Sequence, residues 1–431
     1  MASIPKLEIG NKIGWTVMDA FGRFDGSEAA LENFSWLANE EDISLDNFSE
    51  NYYEPGLLAS VLQNQDYLNS SSSAVKGGIS LPPKVNLQLA EQQNKADSVT
   101  LQMDVYDRGG GINKINVYHN GKLLSDANSL LTKRGDDEAG HQVLTLNITP
   151  SAGKNTVKVI ASNEMGVENN GSELSFDGKT KAYTSSLRVL TVGIDQYSDA
   201  KLNLEYSVAD ALAIGEAMTN NAKVAVSKSL LNKNATKSKI LAELKELSQG
   251  SQQDVLVIYL AGHGMALGKE WYFLPYETKM QPNLEKIAAG GITATELSDI
   301  FKNSKIQHIL LMVDACYSGA GMDAFSKLQN GQRYFSRQLS RSLGITVITA
   351  AAKDQGAAEL KSLGHGLFTY LMSQELHKKD VAEPVVTAHA IAKKMVKDLP
   401  IFSKQMVGFS QDPAAYTHGS DFILTDADKR D

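Results

Sequence analysis

The sequence predicts an α/β fold, a mostly parallel sheet flanked by helices, preceded by a β-sandwich domain. Three observations predict it. Four apolar, branched runs, Leu187–Ile194, Asp254–Leu260, Gln307–Asp314 and Gly344–Ala350, read as buried strands. Helical spacing fills the intervals between and after them, and such alternation implies a mostly parallel sheet covered on both faces. Between Pro83 and Phe176 the apolar period is two instead, as in half-buried antiparallel strands.

In chain order, residues 1–80 read as an N-terminal connector segment ending in a Ser/Gly linker. The segment is acidic and aromatic, with short helices expected near Glu28–Ala38 and Pro55–Gln63. It is too small for a core of its own. Asn69–Gly78, rich in serine and glycine, is a flexible linker by composition. Residues 81–180 read as an immunoglobulin-like β-sandwich. Val99, Leu101, Met103 and Val105 alternate with polar residues, and Asn120-Gly121 is a hairpin signal. Val143–Ile148 and Thr156–Ile160 add strands, about seven in all, as such sandwiches require. Asp104, Asp107, Asp136 and Asp137 are read as solvated loop carboxylates rather than as a calcium site.

Residues 181–431 carry the strand–helix alternation. Val208, Leu212, Gly215 and Met218 mark one helix face, and Ile240, Leu241, Leu244 and Leu247 a second. Thr293-Ala-Thr-Glu296 is a capping-box start for a third. Leu367, Leu371 and Leu376 mark a fourth, and Ile391, Met395 and Leu399 a fifth. Phe422–Thr425 is expected as a late edge strand.

Composition narrows the function. At 431 residues the chain holds two or three domains. With 42% hydrophobic and 21% charged residues it is ordinary globular material. Formal charge is −8 without a dense Lys/Arg cluster, so nucleic acid is not an expected partner. No apolar run reaches the roughly 18 residues of a membrane span. A single cysteine and the absence of an export signal at the start place the expected location in the cytoplasm.

That cysteine, Cys316, ends the run His308-Ile-Leu-Leu-Met-Val-Asp-Ala-Cys316, and small polar residues follow. The carboxyl end of a central strand is where open α/β sheets place their ligand crevice. Alone, it reads as a small buried hydrophobe. A second motif changes this. Ala261-Gly-His263-Gly264 follows the apolar run from Asp254 in the same way. A thiol needs a neighbouring base to become a nucleophile, and glycines let backbone approach a substrate.

Leu260-Ala-Gly-His263-Gly264 and Asp314-Ala-Cys316-Tyr-Ser-Gly319 together resemble the catalytic core of bacterial caspase-like cysteine peptidases, the metacaspase and orthocaspase group. Ser185–Ile194 resembles their first core strand, and Gly364-His-Gly-Leu-Phe-Thr-Tyr370 the opening of their small-subunit helix. Residues 1–68 resemble the connector that follows β-propeller repeats in some fusions of this kind, which would make the chain part of a longer protein. The resemblance implies Cys316 as nucleophile and His263 as base, with the N–H groups of Gly264 and Cys316 as the oxyanion hole. Asp314, two before the nucleophile, shares its strand face. In metacaspase-like relatives, acids at the positions of Asp210 and Asp314 line the pocket for the residue before the cut. The implied substrate is therefore a protein or peptide with Arg or Lys there.

No cofactor is expected, and no CxxC or HExxH motif supports a metal site. The β domain is the expected seat of a regulatory protein partner. The polar stretch from Ser318 to Ser342 is expected as an exposed loop, open to self-cleavage after Arg333 or Arg337, then Lys327. The plainer reading of that stretch is an amphipathic helix with spaced arginines. The other class of function is a catalytically idle caspase-like scaffold that binds a partner. Among the remaining histidines, His365 lies between glycines at a helix start, and the others read as structural or surface residues.

Overall fold

The computed structural model describes residues 6–9, 12–19, 21–38, 40–62, 80–90, 98–124, 132–133, 140–179, 185–267, 270–316, 330–350, 359–360, 362–377 and 385–425. Contacts divide the chain into two units, Met1–His119 with Leu124–Ala182, and Asn120–Leu123 with Tyr183–Asp431.

In the first unit, two antiparallel sheets share one apolar core. One joins His141–Ile148, Val99–Tyr106 and Lys84–Leu89; the other joins Ser172–Gly178, Gly153–Ser162 and Lys114–His119. Leu101, Met103 and Val105 from one face meet Val117, Val157 and Val159 from the other. The period of two is thus the signature of a sheet with one face buried. Asn120 and Gly121 take φ of 49° and 82°, the left-handed pair that a two-residue hairpin demands. Asp107 Oδ1 accepts the N–H groups of Gly109, Gly110 and Gly111, so it organises its own loop. Asp136 and Asp137 lie outside the described residues.

The N-terminal segment departs from the expected connector. Lys6–Ile9, Lys12–Met18 and Phe24–Gly26 form a three-stranded sheet, and Val17, Phe24, Leu31, Phe48, Tyr52 and Leu57 are buried. The helix from Glu28 stops at Asn33, and Ser35–Ala38 pairs as a strand with Glu41–Ser44. Asn47 and Asn51 bond to Asn170 and Met165 within the same unit. The segment's rings pack on one another, Phe24 on Tyr53 and Phe48 on Trp36 and Tyr52.

The second unit is the α/β unit. Its elements are β1 (Leu187–Gly193), α1 (Ser207–Asn221), β2 (Val224–Leu231), α2 (Lys237–Leu247), β3 (Val255–Leu267), β4 (Glu270–Phe273), α3 (Ala294–Lys302), β5 (His308–Cys316), α4 (Asn330–Leu343), β6 (Thr346–Thr349), β7 (Glu359–Leu360), β8 (His365–Gly366), α5 (Leu367–His377), α6 (Ala388–Val407) and β9 (Ala414–Thr417). The main sheet has order β2-β1-β3-β5-β6-β9, parallel except for the last pair. The late edge strand is therefore Ala414–Thr417. Phe422–Thr425, the expected one, makes only the bridge between Thr387 and Ile423.

The central strands feed two separate layers. On β3, Leu256, Ile258 and Leu260 face α2 and α3, while Val257, Tyr259 and Ala261 face α1, α5 and α6. Burial on both faces is why these strands read as unbroken apolar runs. Strand β3 runs past its apolar part, through Gly262-His263-Gly264, and its end pairs antiparallel with β4. Among the described residues, no helix is long and apolar enough to cross a membrane.

The capping box at α3 is complete. Thr293 Oγ1 accepts the Glu296 N–H at 2.9 Å, and Glu296 Oε2 accepts the Thr293 N–H at 2.8 Å. Thr293→Ala should lower stability by about 1 kcal/mol. Urea unfolding would measure this, and an unchanged midpoint would show that α3 is held by packing alone.

Candidate active site

Strands β3 and β5 pair in register from Val255 with His308 up to His263 with Cys316. The two residues singled out in the sequence thus stand opposite each other, at the carboxyl ends of adjacent central strands. Nothing local brings them together. Two runs separated by more than fifty residues must first pair in the correct register.

His263 is buried and held from three directions. Its N–H donates to Tyr197 Oη at 2.8 Å, and its carbonyl accepts from Leu274 at 2.9 Å. Its Nε2 lies 2.9 Å from the Leu202 carbonyl. A carbonyl can only accept, so Nε2 carries the hydrogen and Nδ1 is the nitrogen able to take a proton. The Tyr197 ring lies over the imidazole at 5.2 Å. Leu202 itself ends the turn Ala200–Leu202, which Asp199 caps.

The glycines around His263 are required by packing. A Cβ at Gly262, whose φ is 156°, would lie 2.8 Å from Tyr197 Oη. One at Gly264 would lie 3.0 Å from the Ala315 Cβ and 3.1 Å from the Trp271 ring. Because Leu274 N–H bonds His263 O, position 263 is the bonded member of the β3–β4 ladder. Gly264, one along and opposite Phe273, then turns its N–H away from β4.

The acids gather on one face of the sheet. Asp314 is buried, and its Oδ2 accepts from Tyr259 Oη at 3.0 Å and Thr369 Oγ1 at 3.2 Å. Tyr259 and Thr369 hydroxyls are themselves 2.6 Å apart. Asp210, in the first turn of α1, is also buried. It binds His365 Nδ1 at 2.9 Å and the Gly366 N–H at 3.2 and 3.3 Å, one to each oxygen. Burial pushes the Asp210 carboxyl above its ordinary range; His365 and Gly366 pull it back, and the Asp195 charge adds to the rise. Burial, then the charges of Asp314 and Asp210, hold the Tyr259 phenol well above its ordinary value. Asp314 bonds the buried tyrosine directly, and Asp210 acts on it only through its charge.

Asp195 follows β1 and accepts the Val208 N–H at 3.1 Å, which fixes the start of α1 and with it Asp210. Burial raises its carboxyl too, against the N–H groups of Val208 and Ser207. Sequence reading missed Asp195, Tyr197, Leu202, Tyr259 and Thr369, and placed His365 no further than a helix start. Their partners lie far along the chain, so no spacing announces them.

Comparison with known proteins fits this arrangement. The family model of the caspase domain matches residues 187–420. The chain belongs to the caspase-domain family. The matched span begins with β1 and ends just beyond β9, so it covers the strands that carry His263 and Cys316 and the helix that carries Asp210. As a caspase-domain chain it is a caspase-like cysteine peptidase in general type, with proteins as its class of substrate. Comparison with curated proteins gives no match.

The caspase domain also corrects the processing segment. Arg333 and Arg337 were expected mid-loop but lie in helix α4. Arg337 is buried, as are Phe335, Leu339 and Leu343. The cause is the apolar spacing of 335, 339 and 343, which makes the stretch amphipathic. Lys327 lies outside the described residues. Elsewhere, His119 is buried against Asn155, and burial lowers its imidazole. His141 stacks on Tyr106. Both are structural in the first unit.

Tyr259→Phe and Thr369→Val should each destabilise the caspase domain by about 1.5–3 kcal/mol, since each removes a donor to a buried carboxylate. Their effects should not add, because the two hydroxyls also bond each other; the coupling should exceed about 0.5 kcal/mol. A double-mutant cycle by chemical denaturation checks this, and strict additivity would disprove a shared network.

Proposed function

We propose that this caspase domain is an endopeptidase that cleaves after Arg or Lys through a Cys316–His263 dyad. One observation carries the reading. His263 and Cys316 stand opposite each other in register, and two buried acids, Asp210 and Asp314, belong to the same α/β unit, Asp314 two residues before Cys316. Nδ1 of His263 takes the thiol proton, and sulfur attacks the scissile carbonyl carbon. The N–H groups of Gly264 and Cys316 receive the oxyanion, a contribution typically worth about 10²–10³ in rate per donor. Collapse breaks the C–N bond, and the imidazolium returns its proton to the departing amine. Water, deprotonated by the same imidazole, then attacks the thioester carbon; the C–S bond breaks, the imidazolium returns its proton to sulfur, and the acid leaves. Buried carboxylates favour a cationic side chain before the cut, because only an opposite charge offsets their desolvation.

Self-processing fits the same specificity. Arg333 and Lys327 are retained as candidate cleavage positions, whereas Arg337 is withdrawn, because a buried helical residue cannot extend into a site. The first unit, with its separate core, is the proposed seat of a regulatory protein partner.

Cys316→Ala and His263→Ala should each reduce peptide cleavage by at least ~10²-fold with folding intact. Retention of normal turnover by either would exclude the dyad. Absence of labelling of wild-type Cys316 by an arginine chloromethyl ketone would favour the idle scaffold. Mass spectrometry of incubated wild type against Cys316→Ala tests self-processing on the same proteins, since only cuts unique to wild type count.

Asp210→Asn should cost basic substrates about 2 kcal/mol or more in kcat/KM, roughly thirtyfold, and neutral ones little. Paired assays on arginyl and citrullinyl peptides measure it. Faster wild-type cleavage after aspartate would overturn the specificity.

A further inference from the structure

His365 was not needed for the dyad, yet it is the residue that occupies Asp210. It sits on β8, a two-residue strand paired with β7, and opens directly into α5. Its imidazole is about one-third exposed (30%), whereas the Asp210 side chain is 7% exposed. So the acid is sealed and its partner can exchange protons with water. The 2.9 Å contact from Nδ1 to Oδ1 is supplemented by the Gly366 N–H on both oxygens. Asp210 is therefore held at a fixed point by the very segment that carries His365.

Among the described residues, the other charge acting on Asp210 besides His365 is that of an acid. Asp210 comes from α1. Asp195, between β1 and α1, adds a like charge beside it. Asp314 on β5 and the Tyr259 phenol on β3 lie behind. The first turn of α5, Leu367-Phe-Thr-Tyr370, brings no charge. His365 hydrogen-bonds directly to the acid of this group that lies in α1, Asp210.

We propose that His365 is the resident counter-ion of Asp210, and that a basic substrate side chain binds by taking its place. The inference rests on the reading of Asp210 as part of the pocket for Arg or Lys. The exchange balances. Imidazolium paired with carboxylate, plus an incoming guanidinium, gives guanidinium paired with carboxylate, neutral imidazole, and one proton released to water. His365 is thus a positioning residue that acts through Asp210. A purely structural pin between β8 and α1 would release no proton on binding and would be blind to the charge of the substrate.

The direction of the pH effect follows. Hydrogen bonding to Asp210, and its charge, hold the His365 imidazole above its ordinary value, against burial. Below that raised value the pair is neutral as a whole, and an arriving cation must displace a proton. Above it, the carboxylate stands alone and the cation binds without competition. Preference for a basic side chain therefore rises with pH through that value. The gain is about tenfold per unit by which the bound cation lowers the imidazole.

The test compares kcat/KM for an arginyl peptide with that for its citrullinyl isostere. The ratio cancels the titration of Cys316 and His263, which both peptides share. In the wild-type chain the ratio should rise at least about threefold from about pH 6 to about pH 8, the range in which histidine titrates. In His365→Asn, which keeps a donor but not the charge, the rise should vanish. A parallel measurement follows the His365 imidazole by NMR in the wild-type chain, free and bound to an arginine-ended peptide aldehyde. Its pKa should fall on binding, and should not fall with a norleucine-ended aldehyde. An arginine advantage that does not vary with pH, the same slope in His365→Asn, or an imidazole indifferent to the aldehyde would each overturn the proposal alone. No arginine advantage at any pH would instead remove the basic-pocket reading, and the proposal with it.

Discussion

The register between β3 and β5 is the constraint on which the rest depends. Nine residue pairs, from Val255–His308 to His263–Cys316, keep step. Each strand alternates its side chains between two sealed layers. A slip of one residue would send every one of them to the opposite layer. It would also set Cys316 beside a glycine instead of His263. The same slip that would ruin the packing would therefore also part the two residues of the proposed dyad, so the core enforces their opposition.

The second constraint is electrostatic. Three carboxylates, Asp195, Asp210 and Asp314, sit on or behind the face shared by α1 and α5. Such burial is costly unless each acid finds donors. The chain supplies them from three kinds of source. Asp195 takes the N–H groups that open α1, where the helix dipole also favours a negative charge. Asp314 takes two neutral hydroxyls. Asp210 takes a backbone N–H and an imidazole. Neutral hydroxyls satisfy hydrogen-bonding capacity without cancelling charge. Asp314 consequently keeps its charge uncancelled by these two partners.

What the sequence made legible follows the same physics. Strands buried on both faces announce themselves as apolar runs, and all four were found. Strand β2, Val224–Leu231, was not. It lies at the sheet edge and alternates Val, Ser, Lys and Leu, so half of it is polar. The four-residue edge strand Ala414–Thr417 is too short to show a period, which left Phe422–Thr425 as the more apolar choice. Helix α4 was masked by its arginines, serines and glutamines, although Phe335, Leu339 and Leu343 carried the helical spacing. At the site, His263, Gly264, Cys316, Asp210 and Asp314 lie in short motifs and were legible. Tyr259 and Thr369 looked like core residues, because a buried hydroxyl is visible only once its partner is known. Leu202 acts through its backbone carbonyl, for which no side chain gives a sign.

The two histidines of this face show how the partner's chemistry divides one residue type between two tasks. His263 meets a carbonyl. That partner fixes the tautomer and the ring plane but adds no full charge, so it orients the imidazole without committing it to the protonated form. A general base needs this, since it must begin neutral and become charged only during the reaction. His365 meets a carboxylate. That partner also fixes the ring, but it favours the imidazolium in the resting molecule, the opposite of what a base requires. A carbonyl in the place of Asp210 would still accept a hydrogen bond from His365 but would lack the charge that favours the imidazolium. The division arises from where the sheet ends. The turn that follows β1 offers His263 the Leu202 carbonyl, whereas beside β8 lies the first turn of α1, a position that favours an acid.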